Sequence, residues 1–159
     1  MSTPSELSSS TASSWQPSGV SHVAVYGTLR AGGVNEIARL RPGMVITGRT
    51  TLTGTLYDLG WYPAMSLQGH QQVLAEVYSL DNALEQVLDG YEGVWPQNTG
   101  EYVKRIVTVP VALTNGGTQI MAVLVYEAQP AAVDSAPVIE TGDWLVWFHQ
   151  HKAHLQNRK

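Results

Sequence analysis

The chain has 159 residues, no cysteine, nine basic against thirteen acidic residues, and a formal charge of −4. The length suits one domain with its own core, and the missing cysteines exclude disulfides, thiolate metal sites and a thiol nucleophile. The acidic balance offers no positive stripe for a phosphate backbone, so nucleic acid is not an expected partner.

Residues 1–19, "MSTPSELSSSTASSWQPSG", hold too few apolar groups to offset the entropy of ordering and read as a disordered Ser/Thr-rich tail. They lack the basic and apolar regions of a signal peptide, and nowhere do eighteen apolar residues run together, so a soluble cytoplasmic protein without a membrane partner is expected. From Val20 the texture changes to β-branched and aromatic runs broken by glycine, which sets a single domain over 20–148. A strand is predicted at 22–27 and a short helix near 33–40. Strands follow at 45–58, bent near Thr53-Gly54, and at 73–79.

The next element is a helix from Asp81 to about Tyr91, with Asp81 as N-cap and Leu84, Val87, Leu88 and Tyr91 on one apolar face. Gly93 supplies its C-terminal stop. Strands at 102–113 and 119–128 flank "TNGG", where Asn115-Gly116 suits a tight hairpin, and Pro110 calls for an edge or a bulge. Further on, Trp144, Trp147 and Phe148 stand at helical spacing and are expected to dock on the domain, followed by a polar tail over 149–159. The βαβ alternation of a doubly wound sheet is absent. The fold class is therefore α+β: a small mixed, mainly antiparallel sheet curled into a barrel, with two short helices.

Common catalytic signatures are missing: there is no G-x-S-x-G, H-E-x-x-H, G-x-x-x-x-G-K-[ST] or G-x-G-x-x-G. His149, His151 and His154 lie in the polar tail without an acidic neighbour and read as solvated, so neither a metal nor another cofactor is expected. Two stretches carry chemistry instead. In "VYGTLR", Gly27 allows a sharp turn at a strand end that exposes the amides of Gly27, Thr28 and Leu29, a concave anion or oxyanion site. In "LDGYEGVWP", Glu92 sits at a helix C-terminus beside Tyr91, Val94 and Trp95, where the helix dipole and desolvation both raise a carboxyl pKa. Periodicity does not separate Glu92 from Glu85, and the same residues also suit an ordinary turn and a surface glutamate.

Taken together and in order, "VYGTLR", "TGTLYDLGWYPAM", "AEVYSLDNALEQVLDGYEG", "EYVKRIVTVPV" and "AVLVYEA" resemble the γ-glutamylcyclotransferase-like superfamily, in its γ-glutamylamine cyclotransferase and AIG2-like branch. The resemblance covers residues 22–128, with a weaker echo in "GDW" at Gly142–Trp144. It implies a small barrel whose Tyr26-Gly27-Thr28-Leu29 loop binds a γ-glutamyl group, with Glu92 as the proton-transfer catalyst. Tyr102 and Arg105 match a further element of variable spacing, and Tyr126 matches a tyrosine of the pocket wall.

The implied reaction is attack of the substrate's α-amine on its own γ-amide carbonyl, giving 5-oxoproline and a free amine. γ-Glutamyl amino acids, γ-glutamyl-ε-lysine or a γ-glutamylated metabolite all suit it, and glutathione suits it less. A non-catalytic small-molecule-binding barrel and a γ-glutamyl amide hydrolase are the alternatives. The "WPQNTG" insert, Trp95–Gly100, falls beside the expected catalyst, and the sequence leaves the oligomeric state open.

Overall fold

The computed structural model describes residues 14–33 and 36–151. Five strands, β1 (His22–Val25), β2 (Ile46–Asp58), β3 (Pro63–Ser79), β4 (Tyr102–Leu113) and β5 (Thr118–Ala128), form a closed barrel in the order β1-β3-β2-β4-β5. All neighbours are antiparallel except β1 and β5, which close the barrel in parallel at Val23 and Leu124. Three short helices accompany them: α1 (Ile37–Leu40), α2 (Asn82–Tyr91) and α3 (Trp144–His151). The third is one more than the sequence reading counted; it forms where the Trp-rich spacing lay and runs past the expected domain boundary at 148.

Alternation along the strands gives the core two layers. Ala24, Leu52, Val73, Val77, Val123 and Val125 share one with Trp144 and Phe148 of α3. Val23, Val25, Leu124 and Tyr126 face the other, where Leu84 and Leu88 of α2 pack with no solvent exposure. The Asp81 side chain caps α2 by accepting from the Leu84 amide at 2.9 Å, as the N-cap reading required.

The β3 strand is much longer than the predicted 73–79. After buried Ala64 and Met65 it runs through the mostly polar stretch Ser66–Gln72, which carries Gly69, and it pairs with β2 across a register shift from Gly54↔Gln71 to Thr55↔Ser66 that leaves Leu67 to His70 unopposed. The bend expected near Thr53-Gly54 falls at this bulge. The β4–β5 turn places positive φ at Gly116 and Gly117, not at Asn115. Pro110 pairs with Ile120 inside β4, and the pairs of β4 with β2, Arg49↔Ala112 and Gly48↔Leu113, lie just C-terminal to it. Having no N–H to give, Pro110 meets β2 only through its carbonyl, which accepts from Thr50 Oγ1 at 2.7 Å.

Most of the Ser/Thr-rich start lies outside the described residues. Its last part packs on the domain: Trp15 Nε1 donates to Asp89 at 2.7 Å, and the Ser18 amide and hydroxyl donate to Glu85 at 2.8 and 2.9 Å. His154 and the rest of the C-terminal tail lie outside as well.

Candidate active site

A cavity of about 310 Å³ opens where the end of β1, the start of β3, the end of α2 and the start of β4 converge. Its floor is aromatic and buried, with Tyr26, Tyr102 and Tyr126 each at most 6% exposed. The floor tyrosines are pinned by their hydroxyls. Tyr26 donates to the Tyr126 carbonyl at 2.7 Å and accepts from the Met65 amide at 3.1 Å. Tyr102 donates to the Pro63 carbonyl at 2.8 Å, and Tyr126 to Asp89 at 2.6 Å. Burial pushes all three phenols well above their ordinary pKa, so they remain protonated at neutral pH.

One wall is the loop Tyr26–Leu29. The chain turns there through an Arg30 N–H to Gly27 carbonyl bond of 3.0 Å, and α1 is tied to it by the Ile37 amide donating to the Leu29 carbonyl at 2.8 Å. Among the described residues, nothing accepts a hydrogen bond from the amides of Gly27, Thr28 and Leu29. Gly27 has no positive φ, so the sharp-turn argument for a glycine does not hold at this position. The reason is space: a Cβ on Gly27 would lie 2.7 Å from Cγ of Pro63. Beyond the turn, Arg30 bonds Glu76 at 3.3 Å and Asp143 at 2.9 Å, and Glu76 also accepts from the Ala31 amide at 2.8 Å. The loop is thereby anchored to β3 and to the residue before α3, which gives the "GDW" echo a structural task.

Glu92 lines the same cavity from the end of α2. A Schellman motif ends α2: the Val94 amide donates to the Asp89 carbonyl at 2.8 Å and the Gly93 amide to the Gly90 carbonyl at 3.3 Å. Gly93 supplies the left-handed residue with φ 72°, leaving Glu92 as the C-cap with its side chain in the cavity. No described residue donates a hydrogen bond to that carboxyl. Burial first, then the negative charges of Glu101 and Asp89, push its pKa up to about 8. Glu85, which periodicity could not separate from Glu92, is bonded to Lys104 at 2.7 Å and to Ser18, away from the cavity.

Of the residues marked in the sequence, Tyr26, Gly27, Thr28, Leu29, Glu92, Tyr102 and Tyr126 all line this one cavity. Arg105 does not; its side chain is 54% exposed and pairs with Glu127 at 2.9 Å. The "WPQNTG" segment folds back through the Thr99 amide, which donates to the Gly93 carbonyl at 2.8 Å. Sequence reasoning missed Tyr62, Pro63 and Glu101 and gave Tyr91 only a packing role. Tyr62 donates to Glu101 at 2.7 Å, and burial and that bond push its pKa up to about 12. Tyr91 and Thr28 share a hydroxyl contact of 2.9 Å. A signal for Tyr62 and Pro63 exists in "GWYPAM", inside one of the segments that carry the resemblance. No group of three or more His, Cys, Asp or Glu among the described residues could hold a metal ion.

Comparison with known proteins agrees with this architecture. The family model described as "Gamma-glutamyl cyclotransferase, AIG2-like" matches residues 23–146. The chain belongs to that family. A Vibrio cholerae protein named "Putative gamma-glutamylcyclotransferase" is 40% identical over 72 residues, 45% of this chain and 62% of that protein, so the match spans less than two thirds of the relative. Among solved structures, protein ytfP from Escherichia coli is similar at 29% identity and TM-score 0.54, over 78% of this chain and 96% of that one. An AIG2-like protein from Mus musculus is similar in fold at 24% identity and TM-score 0.55, over 78% and 88%.

Proposed function

We propose that the protein is a γ-glutamylamine cyclotransferase acting without a covalent enzyme intermediate. The observation that carries this reading is that the buried Glu92 carboxyl, without a hydrogen-bond donor among the described residues, lines the same small aromatic cavity as three loop residues whose amides are unengaged. Among the described residues no Lys, Arg or His lines the cavity, so the substrate's α-carboxylate finds its donors in the amides of Gly27, Thr28 and Leu29. The γ-glutamyl chain is then folded against the tyrosine floor, with its α-nitrogen near its own γ-carbonyl. Holding that geometry supplies the effective-molarity advantage of an intramolecular attack.

Glu92 takes the proton from the α-ammonium as the new C–N bond forms. It returns that proton to the departing nitrogen as the γ-amide C–N bond breaks, and the second proton shed by the ring nitrogen, which ends as the lactam N–H, follows to the same amine, which leaves as its ammonium. No water is consumed, and the products are 5-oxoproline and a free amine. A carboxyl near 8 is basic enough for the first transfer and acidic enough for the second. The floor tyrosines, their hydroxyl protons committed to the Tyr126 and Pro63 carbonyls and to Asp89, surround the reacting centre with apolar ring surface that resists hydrolysis.

The test is to incubate purified protein with γ-glutamyl amines and assay both 5-oxoproline and glutamate. Formation of 5-oxoproline that disappears in Glu92→Gln supports the reading. Release of glutamate would make the protein a hydrolase, and tight binding without either product would make it a binding barrel.

A further inference from the structure

Between α2 and β4, beside the cavity but not in its lining, lie Glu85, Asp89 and Lys104. Both acids are at most 1% exposed and share the one ammonium, at 2.7 and 2.8 Å, so two carboxylates against one cation leave the cluster negative. Residues 15–18 cover it, and they lie outside the span 23–146 that matches the family. Trp15 Nε1 donates to Asp89 Oδ2 at 2.7 Å, and the Ser18 amide and hydroxyl donate to the two oxygens of Glu85 at 2.8 and 2.9 Å. The Gln16 carbonyl accepts from Lys104 Nζ at 2.9 Å. Every member of the cluster is thus bonded by this segment. Asp89 connects the cluster to the site in two ways. Its Oδ1 accepts from the Tyr126 hydroxyl of the cavity floor at 2.6 Å. It also stands three residues before Glu92 at the end of the same helix, a spacing that makes side chains neighbours. After burial and the charge of Glu101, the charge of Asp89 helps to keep the proton on Glu92.

We propose that Trp15 and Ser18 are positioning residues for the reaction: as a clasp over Glu85, Asp89 and Lys104 they keep water from the cluster, so that Asp89 acts unscreened on Glu92 and holds Tyr126 in place. The inference rests on the cyclotransferase reading for the role of Glu92. A like charge acts strongly through protein and weakly through water. With the clasp lifted, solvent reaches Asp89, its repulsion of the Glu92 carboxylate falls, and Glu92 gives up its proton at lower pH. Water and Lys104 replace the lost indole donor at Oδ2. The other groups around Glu92 are Glu101 before β4 and the phenols of Tyr26, Tyr62, Tyr102 and Tyr126. Among the described residues none of these hydrogen-bonds to Trp15 or Ser18, so the path runs through Asp89.

The test is a titration of the Glu92 carboxyl by carbon NMR, on protein labelled at glutamate Cδ and assigned with Glu92→Gln, beside the pH profile of kcat/KM for γ-glutamyl pentyl amide. The full-length Trp15→Ala/Ser18→Ala variant should lower the Glu92 midpoint by about half a pH unit, and Asp89→Asn, which keeps an oxygen for Tyr126, by about one. Because Glu92 first acts as an ionised base, the acid limb of kcat/KM should move down with the midpoint. Added to Asp89→Asn, the clasp substitutions should shift nothing further. Circular dichroism checks the fold, and Trp15→Ala alone serves where the double variant does not fold. An unmoved midpoint in the folded clasp variant would overturn the proposal. So would an undiminished shift in the Asp89→Asn background, because the clasp would then act by another route. The expected midpoints with no 5-oxoproline formed would keep the coupling and overturn the reaction. Formation of 5-oxoproline with an unmoved midpoint would overturn the coupling alone.

Discussion

With its pKa near 8, Glu92 keeps its proton in the folded protein over a range where the unfolded chain, at the ordinary 4.5, has already released it. Folding is therefore coupled to proton binding between these values, and stability falls as pH rises from about 4.5 to about 8. The groups facing this carboxyl are Glu101, Asp89 and the phenols of Tyr26, Tyr102 and Tyr126, none of them a cation that would reverse the sign. Glu92→Gln should remove that slope, so the variant is expected to be more stable than the parent at pH 8, on the order of a few kcal/mol, and to lose nearly all turnover. Urea titrations at pH 5 and pH 8 check the first expectation, and the 5-oxoproline assay checks the second. Gly27→Val should clash with Pro63, displace the loop and abolish ligand binding with the barrel intact; calorimetry and circular dichroism together check it. The sequence made Gly27 visible as a loop residue but not for the right reason, because Pro63 approaches it from another strand. Glu101 was illegible for the same cause: nothing local marks a glutamate after Gly100 as a cavity residue.

The α2 helix is fastened to β4 by a buried ionic cluster. Lys104 reaches Glu85 at 2.7 Å and Asp89 at 2.8 Å, and both carboxylate side chains are 1% exposed. Removing one partner leaves charge stranded in a poorly solvated site, so Lys104→Ala should cost about 3–5 kcal/mol, read from the shift of the urea midpoint. Because Asp89 also holds the Tyr126 hydroxyl at 2.6 Å, the same variant should loosen the cavity floor. The segment at Trp15 and Ser18 completes the cluster, with Lys104 Nζ 5.3 Å from the Trp15 ring centroid. Truncation through Ser18 should lower stability by less, about 1–3 kcal/mol, since water can replace those donors. A reading of composition could not anticipate this docking. The Ser-rich segment carries one tryptophan, and its partners are buried acids more than sixty residues away.

Across the whole molecule, the elements with local signals were the legible ones. The β4–β5 hairpin was flanked by turn glycines, and α2 carried both an N-cap and a stop. The first half of β3 was missed because its polar residues and Gly69 contradict strand propensity, and long-range pairing with β2 overrides that preference. The seven marked cavity residues came from matching motifs in order, while periodicity alone left Glu85 and Glu92 equivalent.

The parallel contact between Val23 and Leu124 bears on when this protein becomes competent during folding. The two hairpins can form from neighbouring chain, but the ring closes only when segments about one hundred residues apart meet, a slow event by loop-closure entropy. The Tyr26 hydroxyl and the Tyr126 carbonyl join across that same span, so the cavity floor does not exist before closure. Nascent or partly folded chains will thus hold their hairpins while having nowhere to bind a ligand, and ligand present at the closing step will favour the completed ring by mass action.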